Sequence, residues 1–256
     1  MSVSLENVSK CYDGGSSTVL ALDRTSLFIE DGEFVSIVGP SGCGKSTLLM
    51  ITSGLIQPST GSVSIDSRRV TGPATELGMV FQQDALLEWR TVLQNVLLQA
   101  TIRRLDARKL EHHARELLAM VGLEGFERMY PHELSGGMRQ RVSICRALLH
   151  SPSLLLMDEP FGALDALTRD QLNVDLQRIC AELRITTVFV THSIEEATFL
   201  SDRMVIMSPR PSSIRDILTI DLPRPRKLHM RATPDFGQYV QDAVRVFEQA
   251  GVLHEA

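Results

Sequence analysis

The chain has 256 residues, 43% apolar and 22% charged, which is enough to bury a core and excludes wholesale disorder or fibrous repeats. A net charge of −5 argues against a basic nucleic-acid footprint, and no apolar run nears the roughly 20 residues needed to span a bilayer. Four scattered cysteines (Cys11, Cys43, Cys145, Cys180) with no CxxC pair point to a reducing compartment, and the opening MSVSLENVSK lacks the apolar stretch of a secretory signal.

In chain order, Val3 with Leu5 and Leu27 with Ile29 fall on single faces of strands, and Asp31-Gly32 marks a turn between two such runs. Phe34 to Val38 is a short apolar strand, followed by a Gly-rich loop and a helix carrying Leu48, Leu49, Ile51 and Leu55. Pro58 to Gly61 is a turn and Ser62 to Asp66 a further strand. From Thr91 the period becomes helical: Val92, Val96 and Ala100, then Leu110, Ala114, Leu117 and Val121 with Gly122 as a stop. A third helix starts after Ser135 and carries Val142, Cys145 and Leu149, so that Leu86 to His150 reads as a helical insertion. Leu154 to Met157 and Thr187 to Thr191 are buried strands around a helix with Leu172, Leu176 and Ile179, and this alternation implies a mainly parallel sheet. The tail from Ser208 holds five of the eleven prolines and ends in an amphipathic helix bearing Phe236, Val240, Val244 and Phe247, expected to pack on the core or at an interface.

Gly39, Pro40, Ser41, Gly42, Cys43, Gly44, Lys45, Ser46 and Thr47 match G-x-x-x-x-G-K-[ST] between an apolar strand and an apolar-periodic helix. The glycines let successive N–H groups face one anion, and the helix N-terminus adds its positive end. Lys45 brings a point charge to β- and γ-phosphates, and Ser46 offers a hydroxyl to Mg²⁺. Leu154 to Pro160 is an apolar strand ending in two acids. Adjacent strand residues point opposite ways, which suits Asp158 to Mg²⁺ and Glu159 to taking a proton from water. Thr191-His192 ends a second strand over the same crevice, within reach of the γ-phosphate or the attacking water, and Gln82 lies where a strand meets the insertion, placed to reach Mg²⁺ or water. Before the third helix, Ser135 is a cap while Gly136 and Gly137 expose N–H groups, a second anion-binding end that suggests service to a neighbour's nucleotide.

Taken together, the phosphate loop, Gln82, Leu134-Ser-Gly-Gly-Met-Arg-Gln140, Asp158-Glu159, Ala163-Leu164-Asp165 and His192 occur in the order found in ATP-binding subunits of ABC transporters, which the chain resembles over roughly residues 1 to 220. The signature begins about 90 residues after Lys45, as in that family. Met138, the run Asp158 to Arg169, Leu86-Leu-Glu-Trp89 and Asp221-Leu-Pro-Arg-Pro-Arg226 make it similar to importer subunits for nitrate, sulfonates and taurine. Glu88 stands where those have Pro before the Trp, and Ser143 and Cys145 stand where they have small alanines.

The resemblance implies an α/β fold: a P-loop NTPase (RecA-like) core with a mainly parallel sheet (1–85 and 151–220) that includes an N-terminal antiparallel β subdomain. It adds an inserted helical subdomain (86–150) and a tail helix (221–256). It implies ATP and Mg²⁺ (Ser46, Gln82, Asp158), catalysis by Glu159, His192 and Gln82, and adenine stacking on Tyr12. It further implies a head-to-tail homodimer with ATP between the phosphate loop and the partner's Ser135–Gly137 and Asp165 region. Integral membrane permease subunits and, indirectly, a periplasmic or lipid-anchored substrate-binding protein complete the expected assembly, peripheral at the cytoplasmic face of the inner membrane and without nucleic acid. The competing class is a soluble non-transport ABC ATPase acting on nucleic acid or ribosomes; it usually carries a long coiled coil or paired ATP modules, and the sequence has neither. Cys43, at a helix N-terminus two residues from Lys45, is expected to be the most modifiable cysteine and to be protected by ATP, with Cys145 and Cys180 buried and inert.

Overall fold

The computed structural model describes residues 1–13 and 18–252, so the last four residues of the expected tail (221–256) lie outside the described residues. Strands β1 (Val3–Asp13) and β2 (Thr18–Ile29) form a long antiparallel pair. On its other edge β1 pairs antiparallel with a strand over Thr60–Ile65 (β4), which carries a two-residue strand at Arg68–Arg69 (β5). The alternation is plain in β2: Leu27 and Ile29 are buried while Phe28 between them is 53% exposed. The Asp31-Gly32 turn is present, but it is not a hairpin. It passes the chain from this sheet to β3 (Phe34–Val38) of a second one.

That second sheet also contains β6 (Gly78–Val80), β7 (Leu154–Asp158), β8 (Thr186–Thr191), β9 (Arg203–Met207) and β10 (Ile214–Thr219). Its order is β10-β9-β3-β8-β7-β6, parallel throughout except for β10. Every residue of β3 and β8 is buried, as a parallel strand covered on both faces requires.

Helix α1 (Lys45–Thr52) is shorter than its apolar spacing suggests. Gly54 takes a left-handed φ of +75°, where a side chain would strike the Gly72 carbonyl, so the chain turns out and Leu55 lies beyond the helix, 51% exposed. The run through Val92, Val96 and Ala100 is two short helices, α2 (Val92–Val96) and α3 (Leu98–Ile102), with all three residues fully buried. A capping box between Thr91 and Gln94 starts α2. Then come α4 (Ala107–Met120), stopped before Gly122 at φ +73°, and α5 (Gly136–Leu148). These four helices leave and re-enter the sheet at neighbouring strands, since Val80 of β6 pairs with Met157 of β7.

Three more α-helices follow among the described residues: α6 (Ala166–Leu183), α7 (Ile194–Leu200) and α8 (Pro234–Gln249). The tail helix α8 lays Phe236, Ala243 and Phe247 on α7, β9 and β10, so its apolar face is part of the core. The tail is also bolted down by Arg226, which is 2% exposed. Its guanidinium donates to the carbonyls of Thr198 (3.0 Å), Phe199 (3.3 Å), Ser201 (2.7 Å), Ile220 (3.0 Å) and Leu222 (3.3 Å). Among these are the last carbonyls of α7, which have no partner within their helix. Gln177 closes the arrangement by exchanging two hydrogen bonds with the Arg226 backbone. Burial lowers the Arg226 pKa to about 10, helped by the nearby Arg224 charge. No helix among the described residues is long and apolar enough to cross a membrane.

Candidate functional site

Four adjacent strands end in a row, and each delivers one sequence motif. In spatial order these are β3 with the phosphate loop, β8 with His192, β7 with Asp158 and Glu159, and β6 with Gln82. The loop turns on Gly42 (φ +72°) and Gly44 (φ +118°) before α1 begins. A side chain on Gly44 would press on Leu22 and the Ala21 carbonyl, at 3.0 and 3.1 Å. Lys45 is buried, with its ammonium donating to the carbonyls of Gly39 (2.9 Å) and Pro40 (3.1 Å) and lying 3.6 Å from Glu159. Ser46 donates its hydroxyl to Asp158 at 2.9 Å. Thr47 lies 3.4 Å, oxygen to oxygen, from the Tyr12 hydroxyl, which brings β1 to the mouth of the loop.

Cys43 does not sit as expected. Its thiol turns inward beneath the loop and is 2% exposed, so close to Gly39 that a Cβ there would come within 2.9 Å of the sulfur. The loop's N–H groups can face an anion while this side chain fills space below. Cys145 and Cys180 are buried too, and burial raises their thiols to about 12 and about 11. Cys11 alone of the four is partly exposed. Maleimide labelling followed by peptide mapping is therefore expected to find Cys11 modified first and Cys43 slow with or without nucleotide. Equal labelling of Cys43 and Cys11 in the folded protein would refute the inward packing.

The two acids of β7 diverge. Asp158 turns to Ser46, and Glu159 lies 3.1 Å from the His192 Nδ1 as well as near Lys45. Glu159 adopts φ +43°, a left-handed conformation uncommon for a side-chain-bearing residue, and its N–H donates to Val190 of β8 at 2.9 Å. Burial pushes the Asp158 carboxyl above its ordinary value, against the downward pull of the Ser46 hydrogen bond; Glu159 adds to the rise and Lys45 opposes it.

Gln82 is exposed and, among the described residues, makes no hydrogen bond to Ser46 or Asp158. A methyl on Gly162 would lie 3.9 Å from its amide nitrogen and 3.6 Å from the His192 ring, so Gln82 faces the histidine across that glycine. The segment after it is tied to the signature helix. Asp84 accepts from Arg139 at 2.9 Å, and the Asp84 and Ala85 carbonyls accept from Arg146 at 2.6 and 2.7 Å.

Ser135 caps α5 by accepting from the Met138 N–H at 3.3 Å, and Asp165 caps α6 by accepting from Thr168 at 3.0 Å. The two helix starts adjoin, since a side chain on Gly137 would come within 2.5 Å of Thr168. Ser135, Gly136 and Asp165 are exposed, and among the described residues no hydrogen bond joins them to the phosphate loop of their own chain. The structure thus separates the predicted residues into two groups, one around Lys45 and one around Ser135. It adds Arg210, which donates to the Gly42 carbonyl and which no local pattern marks. The pocket between Tyr12, Val19, the loop, Glu159 and Arg210 encloses about 230 Å³. A larger groove of about 750 Å³ between α6 and the tail is lined by Arg178, Glu182, Arg224 and Lys227 beside Val174 and Leu228, but it has no glycine loop and no hydroxyl side chain.

A strand–loop–helix with a buried lysine, beside a strand ending in two acids, defines a P-loop NTPase. The family model described as ABC transporter matches residues 22–162, and the chain belongs to that family. It is 44% identical over 244 residues to an uncharacterized ABC transporter ATP-binding protein of Methanocaldococcus jannaschii, covering 95% of this chain and 90% of that one. It is 41% identical over 253 residues to the aliphatic sulfonates import ATP-binding protein of Bacillus cereus, covering 99% and 98%. The nitrate import ATP-binding protein of Synechococcus elongatus is 44% identical over 252 residues, 96% of this chain, which spans only 38% of that protein. Among solved structures, a dimeric bacterial ABC transporter cassette aligns with a TM-score of 0.76 at 35% identity. That alignment covers 86% of this chain and all of the other. The same cassette in a post-hydrolysis state bound to ADP and Pi aligns at a TM-score of 0.75. The expected fold class is thereby borne out, and the chain is an ABC ATPase that binds ATP.

Proposed function

We propose that the chain powers an importer for a small solute, an anion such as nitrate, a sulfonate or taurine, by hydrolysing ATP at a head-to-tail homodimer interface. The observation that carries the reading is the split site. Lys45, Ser46, Asp158, Glu159 and His192 are assembled on one face, while the capped helix start, exposed at Ser135 and Gly136, makes no bond to them among the described residues. A second copy supplies the missing anion-binding end.

In this reading Lys45 holds the β- and γ-phosphates, Tyr12 stacks on adenine, and Ser135, Gly136, Gly137 and Asp165 meet the partner's nucleotide. Glu159 takes the proton of the attacking water, and His192 orients that carboxylate or the γ-phosphate. A hydroxyl and a carboxylate 2.9 Å apart are hard oxygen donors of the kind Mg²⁺ takes. Among the described residues no cluster of three or more His, Cys, Asp or Glu forms a metal cage. Such a pair suits Mg²⁺ bound largely through nucleotide oxygens and water, with Gln82 as a further candidate; when bound, the ion neutralises phosphate charge. The core (1–85, 151–220), helical block (86–150) and tail (221–256) then act as nucleotide-binding, coupling and bracing units. Trp89, 74% exposed at the edge of the helical block, suits contact with permease subunits at the cytoplasmic face of the membrane. A substrate-binding protein outside the membrane selects the solute.

Ser135→Arg on a Glu159→Gln background is the test. The added bulk and charge stand where the partner's γ-phosphate approaches, so monomers still bind ATP but no longer pair. Size-exclusion chromatography is expected to show ATP-dependent dimers for Glu159→Gln and monomers for the double variant. Dimers at the same level in both would sink the sandwich.

A further inference from the structure

The nucleotide pocket contains a second cation. Arg210 lies beyond β9, far from the phosphate loop in sequence, on a turn fixed from two sides. Ser212 in this turn is buried and pairs with β2: Asp23 donates to its carbonyl at 2.8 Å, and its own N–H donates to Ala21 at 3.3 Å. Within the turn the Ser212 hydroxyl donates to the Ser208 carbonyl at 2.9 Å, and the Ser213 N–H donates to the Ser208 hydroxyl at 3.0 Å. From this platform the Arg210 Nε donates to the Gly42 carbonyl. A terminal guanidinium nitrogen lies 3.2 Å from where a Gly42 Cβ would stand.

The charges of the pocket make this placement consequential. Lys45 is offset by Glu159 at 3.6 Å, with Asp158 close behind on Ser46. Arg210 is exposed and, among the described residues, has no carboxylate within ion-pair distance. It spends one N–H on Gly42, and a guanidinium has five. A polyanion entering beside Tyr12 therefore meets one cation already compensated and one that is not.

We infer that Arg210 is a nucleotide-binding residue: it donates to the polyphosphate of ATP while pinning the loop peptide at Gly42. The inference rests on the assignment of ATP to this loop. Charge-assisted hydrogen bonds of this kind, at a partly solvated site, correspond to about a tenfold change in affinity. Arg210→Gln is expected to raise the Kd for ADP and for ATP by about that factor and to flatten the dependence of Kd on salt. Arg210→Lys, which keeps charge without the fork, is expected to fall between the two and to retain the salt slope. Titration calorimetry of the full chain with ADP at two salt concentrations reads both quantities, and Lys45→Ala is titrated alongside. A glutamine variant with lowered Tm but unchanged Kd and salt slope would overturn the inference, leaving Arg210 a brace. Loss of binding in Lys45→Ala with none in Arg210→Gln removes only the role of Arg210. Unchanged affinity in both variants removes the assignment of ATP to the loop itself. If Arg210→Gln does not fold, Arg210→Lys carries the test, and wild-type affinity in that variant overturns the inference.

Discussion

Glu159→Gln is expected to lower ATP hydrolysis by about 10² to 10⁴, the range a positioned general base contributes, while ATP still binds. The carboxylate is held from three directions: by the His192 ring at 3.1 Å, by Lys45 at 3.6 Å, and by a backbone whose N–H is fixed to Val190. An amide has the same shape and can occupy the same place. It cannot accept the water's proton at neutral pH, so the positioning survives and the chemistry does not. Removing the negative charge beside Lys45 also frees that ammonium for phosphate, which favours the ATP-bound state. Phosphate release in single turnover measures the first effect, and ATP-dependent dimer on size exclusion the second. Near-normal turnover would show that another group takes the proton.

The largest effect on stability is expected at Arg226. Its five carbonyl partners converge on one buried guanidinium, and no carboxylate shares it among the described residues. Arg226→Met fills much of the volume but leaves those acceptors without donors. Each unsatisfied buried group costs about 1–3 kcal/mol before relaxation, so a total near 3–5 kcal/mol is expected once water and side chains adjust. For a chain of this size that lowers Tm by roughly 10 °C. Arg226→Lys rescues only part, because three donors on a flexible stem cannot serve five acceptors. Thermal unfolding of the three proteins tests this, and a methionine variant within 2–3 °C of wild type would show the bolt to be dispensable.

The parts of this molecule legible in the sequence are those whose signal is local. Strands β3, β7 and β8 are short, largely apolar runs because both faces are covered, and the phosphate loop declares itself through glycines and a lysine at fixed spacing. What escaped depends on distant pairing. Strand β9 presents only Met204 to Met207 as an apolar run, and β10 is mostly exposed at an edge, so neither stands out from its proline-rich surroundings. Helix α7 is seven residues long, too short for a periodicity to build. Leu55 kept helical spacing, yet Gly54 ends the turn before it. The inward aim of Cys43 follows from left-handed glycines on both sides, which no periodicity encodes. Arg210 reaches the loop only because its turn pairs with β2, and the bond between His192 and Glu159 exists only because β8 and β7 are neighbours.

The registry of β7 against β8 fixes where Asp158 stands. Asp158 stands opposite Val190 as the last residue of the strand and meets Ser46, while the bend at Glu159 sends that side chain to Lys45 and His192. Loops that join these strands can gain or lose residues without disturbing that assignment, because slack is absorbed outside the sheet. A single residue added within Leu154–Asp158 has no such outlet. It puts Asp158 out of step with Val190 and turns its carboxylate away from Ser46. Counting, as much as composition, sets where this strand delivers its acid: five residues act as its ruler.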